Sequence, residues 1–140
     1  MSQGLDLTLV RAGWLCGLVV AACGGAQGKP SPTCPSSAAF QGGVNDHGAV
    51  PATRASDSLS AGDAFFAPTC VTRVAAGTVT LVLSNRGQVL HNISFPDQGI
   101  DQDVAPGETV AVQVKMGKEP LRFNCKYHRL SGMVGALLPK

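Results

Sequence analysis

Thr109-Val110-Ala111-Val112-Gln113-Val114-Lys115 alternates valine with small or polar residues. Successive side chains of a strand point to opposite faces, so this run reads as a strand with one buried face. Thr78-Val79-Thr80-Leu81-Val82-Leu83 reads as a second strand. Working outward, shorter runs of the same character lie at 64–66, 71–75, 89–95, 121–125 and 133–138. Turn residues separate them: Ala76-Gly77, Ser84-Asn85-Arg86-Gly87, Pro96-Asp97-Gln98-Gly99, Ala105-Pro106-Gly107-Glu108 and Met116-Gly117. No segment past Asp57 carries a helical stripe. About seven short strands at roughly 8–14-residue spacing predict an all-β Greek-key sandwich of seven to eight strands. That domain is expected to span 57–140.

The composition agrees. The chain has 140 residues, 44% hydrophobic, with 17 Gly and 9 Pro. This is enough for one domain with a core, and too little for a multidomain enzyme. The net charge is only +2, and no two Lys or Arg residues are adjacent. Phosphate binding needs a clustered cationic surface, so nucleic acid is not an expected partner. No apolar run approaches the roughly 18–20 residues of a spanning helix.

The N-terminal part reads differently. Arg11 precedes an uncharged stretch from Ala12 to Ala22. A positive charge followed by a short apolar run fits a secretory signal, so 1–22 is assigned as a signal peptide. Val20-Ala21-Ala22-Cys23 resembles the bacterial lipobox, which marks Cys23 for lipidation. Residues 23–56, rich in Gly, Pro and Ser and without period, read as a flexible tether. Lipid and spacer together would hold the exported domain at the outer face of the cell membrane or in the periplasm. His47, in this stretch, is read as solvated.

The chemistry is concentrated in Cys125-Lys126-Tyr127-His128-Arg129-Leu130-Ser131-Gly132-Met133. A thiolate, an imidazole and a thioether follow one another within one turn between two strands. His91-Asn92 lies 34 residues upstream of Cys125, on a separate strand that is expected to end near the same pole. His91, Cys125, His128 and Met133 are the expected metal ligands. Two imidazoles and a thiolate with a weak thioether are the donor set of a blue-copper electron-transfer site. The expected cofactor is one copper ion cycling between Cu(I) and Cu(II).

With these residues in place, the chain resembles the cupredoxins, specifically the plastocyanin-like single-domain proteins with a C-x-x-H-x-x-x-x-M loop and an upstream H-N. The resemblance spans 58–140 and takes in Phe65-Phe66-Ala67-Pro68 and Asn85-Arg86-Gly87. It implies an electron carrier, not an enzyme, acting as a monomer with a redox protein partner that the sequence does not name. Asn92 is expected to hydrogen-bond across to the Cys125 loop and hold the two ligand segments together. Plastocyanin-like loops often carry Pro where this chain has Tyr127, so a second backbone N–H is expected at the thiolate, raising the potential. Arg122, Lys126 and Arg129 lie near the metal loop and suggest a cationic rim for an acidic partner. Asp97, Asp101, Asp103 and Glu108 fall together in one loop region.

Of five cysteines, Cys16 falls in the signal, Cys23 is the lipid site and Cys125 the ligand. Cys34 and Cys70 remain. They can form a disulfide in an exported chain, or Cys70 can stay a buried thiol. Rival readings use the same residues. The ligands could store copper or deliver it to an exported or membrane oxidase. Cys125, His128, His91 and Cys70 could instead hold a structural zinc ion, leaving Met133 unused. A sandwich that serves only adhesion would have no need of the four ligand types.

Overall fold

The computed structural model describes residues 33–53 and 56–140. Ten strands form among them: β1 (Ala49–Pro51), β2 (Ser56–Gly62), β3 (Phe65–Ala67), β4 (Cys70–Val74), β5 (Gly77–Asn85), β6 (His91–Phe95), β7 (Ile100–Val104), β8 (Thr109–Met116), β9 (Leu121–Asn124) and β10 (Val134–Pro139). They make two sheets, ordered β1-β4-β10-β9-β6-β7 and β3-β2-β5-β8. The fold is the expected β-sandwich.

The alternating runs behave as their period dictates. β5 and β8 pair antiparallel over their full length, from Gly77 opposite Met116 to Ser84 opposite Thr109. Val79, Leu81 and Leu83 face inward from β5, and Val112, Val114 and Met116 from β8. The opposing sheet contributes Val71, Ile93, Phe95, Phe123 and Leu137. Phe123 sits between Phe66 and Phe95, with ring centroids 5.1 and 5.2 Å away. Burying a Leu or Phe side chain fully is worth about 1.5–3 kcal/mol, so this layer is the main source of stability.

Three strands lie outside the runs read from sequence. β2 is Ser-Asp-Ser-Leu-Ser-Ala-Gly, polar except for Leu59 and Ala61, the two hydrophobic residues it buries. β7 is Ile-Asp-Gln-Asp-Val at the edge of the larger sheet, where β6 is its one pairing partner among the described residues. One face of an edge strand can stay polar, which hid it from a hydrophobic count.

β1 requires a larger correction. Residues 33–53 were expected to belong to a flexible tether, with the domain beginning at 57. Instead Ala49, Val50 and Pro51 run parallel to Cys70, Val71 and Thr72. Pro51 is tolerated because β1 is a sheet edge. Ala38 and Ala49 pack with Cys70, Ala136 and Leu138 in a second small core on the outer face of β4 and β10. Cys34 is disulfide-bonded to Cys70, with their Cα atoms 5.4 Å apart. The physical reason is β10 itself. Gly135, Ala136, Leu137 and Leu138 are all buried, so both faces of this strand need a cover, and the N-terminal segment supplies one. The proposed signal peptide and Cys23 lie outside the described residues.

Candidate metal centre

β6 and β9 are antiparallel neighbours, with Ser94 opposite Asn124. The start of β6 therefore lies beside the end of β9. His91 is the first residue of β6, and Cys125 follows the last residue of β9. Beyond Cys125 the chain turns tightly. The His128 N–H donates to the Cys125 carbonyl (3.1 Å), and the Met133 N–H donates to the His128 carbonyl (3.2 Å). The Cys125 N–H donates in turn to the Met133 carbonyl (3.0 Å). This ring of backbone bonds holds three of the four expected ligands in one loop.

The side chains converge. Cys125 Sγ lies 3.5 Å from His128 Nδ1 and 4.0 Å from His91 Nδ1. The donor atoms of the three residues lie within 4.8 Å of one another. One metal–nitrogen and one metal–sulfur bond, roughly 2.0 and 2.3 Å, together span about 4.3 Å, so both sulfur–nitrogen separations are ones that a shared ion can bridge. Cys125 is a free thiol, and it, His91 and Met133 are fully buried. His128 is half-buried. Met133 belongs to the same buried cluster as Cys125.

Two observations fit a bound metal. Burial, followed by the charge of His128, pushes the His91 pKa down, while Asp63 opposes this. A neutral imidazole is the form that binds metal. His91 Nε2 is buried without a hydrogen-bond partner, although a ring coordinated through Nδ1 carries its proton there. A thiolate with two imidazoles and a nearby thioether is a copper donor set. Zinc bound through Cys70 does not fit, because that sulfur is committed to the disulfide.

The loop is clamped from both sides. Asn92 is buried, and its Oδ1 accepts the Lys126 N–H (3.3 Å) across 34 residues. Its Nδ2 donates to Asp101 Oδ1 and to Asp103 Oδ1. These two carboxylates share one face of β7. Lys126 Nζ lies 2.9 Å from each of them, and the Tyr127 hydroxyl donates to Asp103 Oδ2 (2.8 Å). On the other side the Asn45 N–H donates to the Gly132 carbonyl (3.0 Å). Gly132 has φ +84°, and a Cβ there would lie 2.9 Å from Asn45 N. Only glycine fits this approach.

Two expectations change here. No backbone N–H among the described residues is hydrogen-bonded to Cys125 Sγ, so the second N–H expected at Tyr127 is not at the thiolate, and the Tyr127 hydroxyl donates to Asp103. The tight turn commits the Cys125 carbonyl to His128 and leaves the Tyr127 side chain facing β7. The cationic rim is also reduced. Asp101 and Asp103 neutralise Lys126, and Arg122 Nε donates to the Ala38 carbonyl (2.7 Å). Asp101 and Asp103 were read as loop residues. The alternation Ile100-Asp101-Gln102-Asp103-Val104 is the signal that places both on one strand face.

No protein-family model and no curated protein matches the chain. Solved structures do match it. Auracyanin B aligns at 18% identity and a TM-score of 0.51, over 61% of this chain and 88% of that one. A dithionite-reduced auracyanin from Roseiflexus castenholzii aligns at 14% and 0.52, over 64% and 100%. The metal-binding domain of a Streptococcus pneumoniae Cu(I)-exporting P-type ATPase, solved with Cu(I), aligns at 13% and 0.54, over 67% and 98%. At these identities the likeness establishes the fold, and the fold is cupredoxin-like.

Proposed function

We propose that this chain is a type 1 (blue) copper protein that carries single electrons between redox partners outside the cytoplasmic membrane, tethered there by lipid on Cys23. The observation that carries the reading is the convergence of His91, Cys125 and His128 within 4.8 Å at one end of the sandwich. Met133, tied by backbone bonds to both Cys125 and His128, supplies the thioether. Copper, when bound, would supply a one-electron couple.

The protein's share of the work is to hold the donors still. The soft thiolate and thioether suit Cu(I), and the imidazoles suit both oxidation states. Strand ends and a doubly clamped loop keep these donors in place through a change of charge, so little rearrangement accompanies electron transfer. His128 is the ligand that solvent reaches. Leu130, Val89 and Leu90 are exposed on the segments around the two histidines, giving a partner apolar surface to dock on. The Cys34–Cys70 disulfide supports an oxidising compartment.

A second reading, copper storage or delivery, draws on the likeness to the ATPase metal-binding domain. Burial of His91, Cys125 and Met133 favours retention and hence the carrier. Voltammetry with a Cu(I) chelator present separates the two. The carrier cycles reversibly and keeps its copper. Rapid loss of Cu(I) to the chelator would overturn the carrier reading in favour of delivery.

A further inference from the structure

His91 Nε2 is the buried polar atom that the metal centre itself leaves unused. A ring that binds metal through Nδ1 must carry a proton on Nε2, and a buried N–H without an acceptor is costly. The acceptor should therefore lie within reach of that atom. The ring faces Gly87, where a Cβ would lie 2.9 Å from His91 Nε2, 2.8 Å from Asp63 Oδ1 and 3.4 Å from Asn85 Oδ1. A carboxylate oxygen and an unpartnered ring nitrogen thus border one small space, which stays open because residue 87 has no side chain.

The surroundings fix this arrangement. Asp63 sits in the turn between β2 and β3. Its Oδ1 accepts the Gln88 N–H (3.3 Å), and the Arg86 N–H donates to the Ala61 carbonyl (2.8 Å). The loop leading into His91 is thereby fastened to the β2–β3 hairpin of the opposing sheet. Asn85 Oδ1 is engaged by the Gly87 N–H (2.9 Å), and its Nδ2 by the Val89 and Val104 carbonyls. Asp63 is the charged acceptor left facing the ring.

We propose that Asp63 is a positioning residue of the metal centre: its carboxylate accepts the hydrogen bond of the His91 Nε2–H through one water beside Gly87, and so fixes the tautomer that presents Nδ1 to the metal. This rests on the copper reading above and adds a residue from the second sheet. Carboxylate–histidine–metal relays make the imidazole a better donor. A negative charge at this point favours the more positive oxidation state, so it lowers the potential.

The test compares copper-loaded wild type, Asp63→Asn and Asp63→Ala. Asn keeps an oxygen for the Gln88 N–H while removing the charge. In the diamagnetic Cu(I) form, histidine-ring ¹H–¹⁵N correlation spectra report the His91 Nε2–H directly. The proposal expects a protected Nε2–H in wild type, at least tenfold faster exchange in Asp63→Ala, and an upward potential shift in Asp63→Asn with unchanged backbone amide shifts at 86–90. Gly87→Ala fills the space and should accelerate the same exchange. Unchanged exchange and potential in both Asp63 variants, with copper bound, would overturn the proposal alone. Failure of wild type to bind copper through Cys125 would overturn the copper reading and this inference with it.

Discussion

Cys34→Ala removes the bridge between the N-terminal segment and β4 while leaving the buried Cys70 sulfur in place. The cysteines are 36 residues apart in sequence. In the chain-entropy account a loop of that size restricts the unfolded chain by about 3.8 kcal/mol at 25 °C. That stabilisation accrues only if the folded state already holds Cys34 near Cys70. Were 33–48 a loose tether, the bridge would restrain the folded chain as well, and the two effects would largely cancel. Here Ala38 and Ala49 are buried, and the Thr69 N–H donates to the Gly48 carbonyl (2.9 Å). The segment is therefore placed without the bridge, and Cys34→Ala should lose about 3–4 kcal/mol. At a urea slope of roughly 1.5 kcal/mol/M, the unfolding midpoint of the copper-free protein should fall by about 2–2.7 M. A loss below about 1 kcal/mol would refute the packed-segment argument.

Asn92→Ala removes the buried amide joining the two ligand segments and should cost about 1–3 kcal/mol in urea unfolding, whereas Ser94→Ala on the same strand face should stay within about 0.5 kcal/mol. The carboxyls of Asp101 and Asp103 are held below their ordinary range, chiefly by hydrogen bonds from Lys126, with help from Asn92 and, at Asp103, Tyr127. Their folded pKa values thus lie below the unfolded ones, so their contribution is present above the ordinary carboxylate range and fades as pH falls through the folded values. The urea midpoints of wild type and D101N/D103N should therefore converge below about pH 4. Gly135→Ala places a methyl within 2.4 Å of the Phe123 ring and 2.8 Å from the Thr69 carbonyl. It should cost about 1–3 kcal/mol or more by thermal melting.

Much of this molecule is legible in its sequence, for identifiable reasons. β5 and β8 bury one face each, so period two shows them directly. The spacing of Cys125, His128 and Met133 survives folding because one turn holds all three, and His91 joins them because β6 runs antiparallel to β9. What was missed depends on partners distant in sequence. The run Val134-Gly135-Ala136-Leu137-Leu138 lacks alternation, the sign of a strand covered on both faces, but nothing local says that 33–53 is the cover. Asp101 and Asp103 look solvated until β7 is laid beside Asn92. Asp63 sits in a hairpin turn, where an aspartate ordinarily serves the turn itself.

The most direct test of the central claim is a Cu(II) titration of the protein, followed by visible absorption, in wild type and Cys125→Ser. The account predicts intense sulfur-to-copper charge-transfer colour that saturates at one ion per chain and is absent from the variant. Copper binding without that colour, or identical spectra for the two proteins, would contradict it.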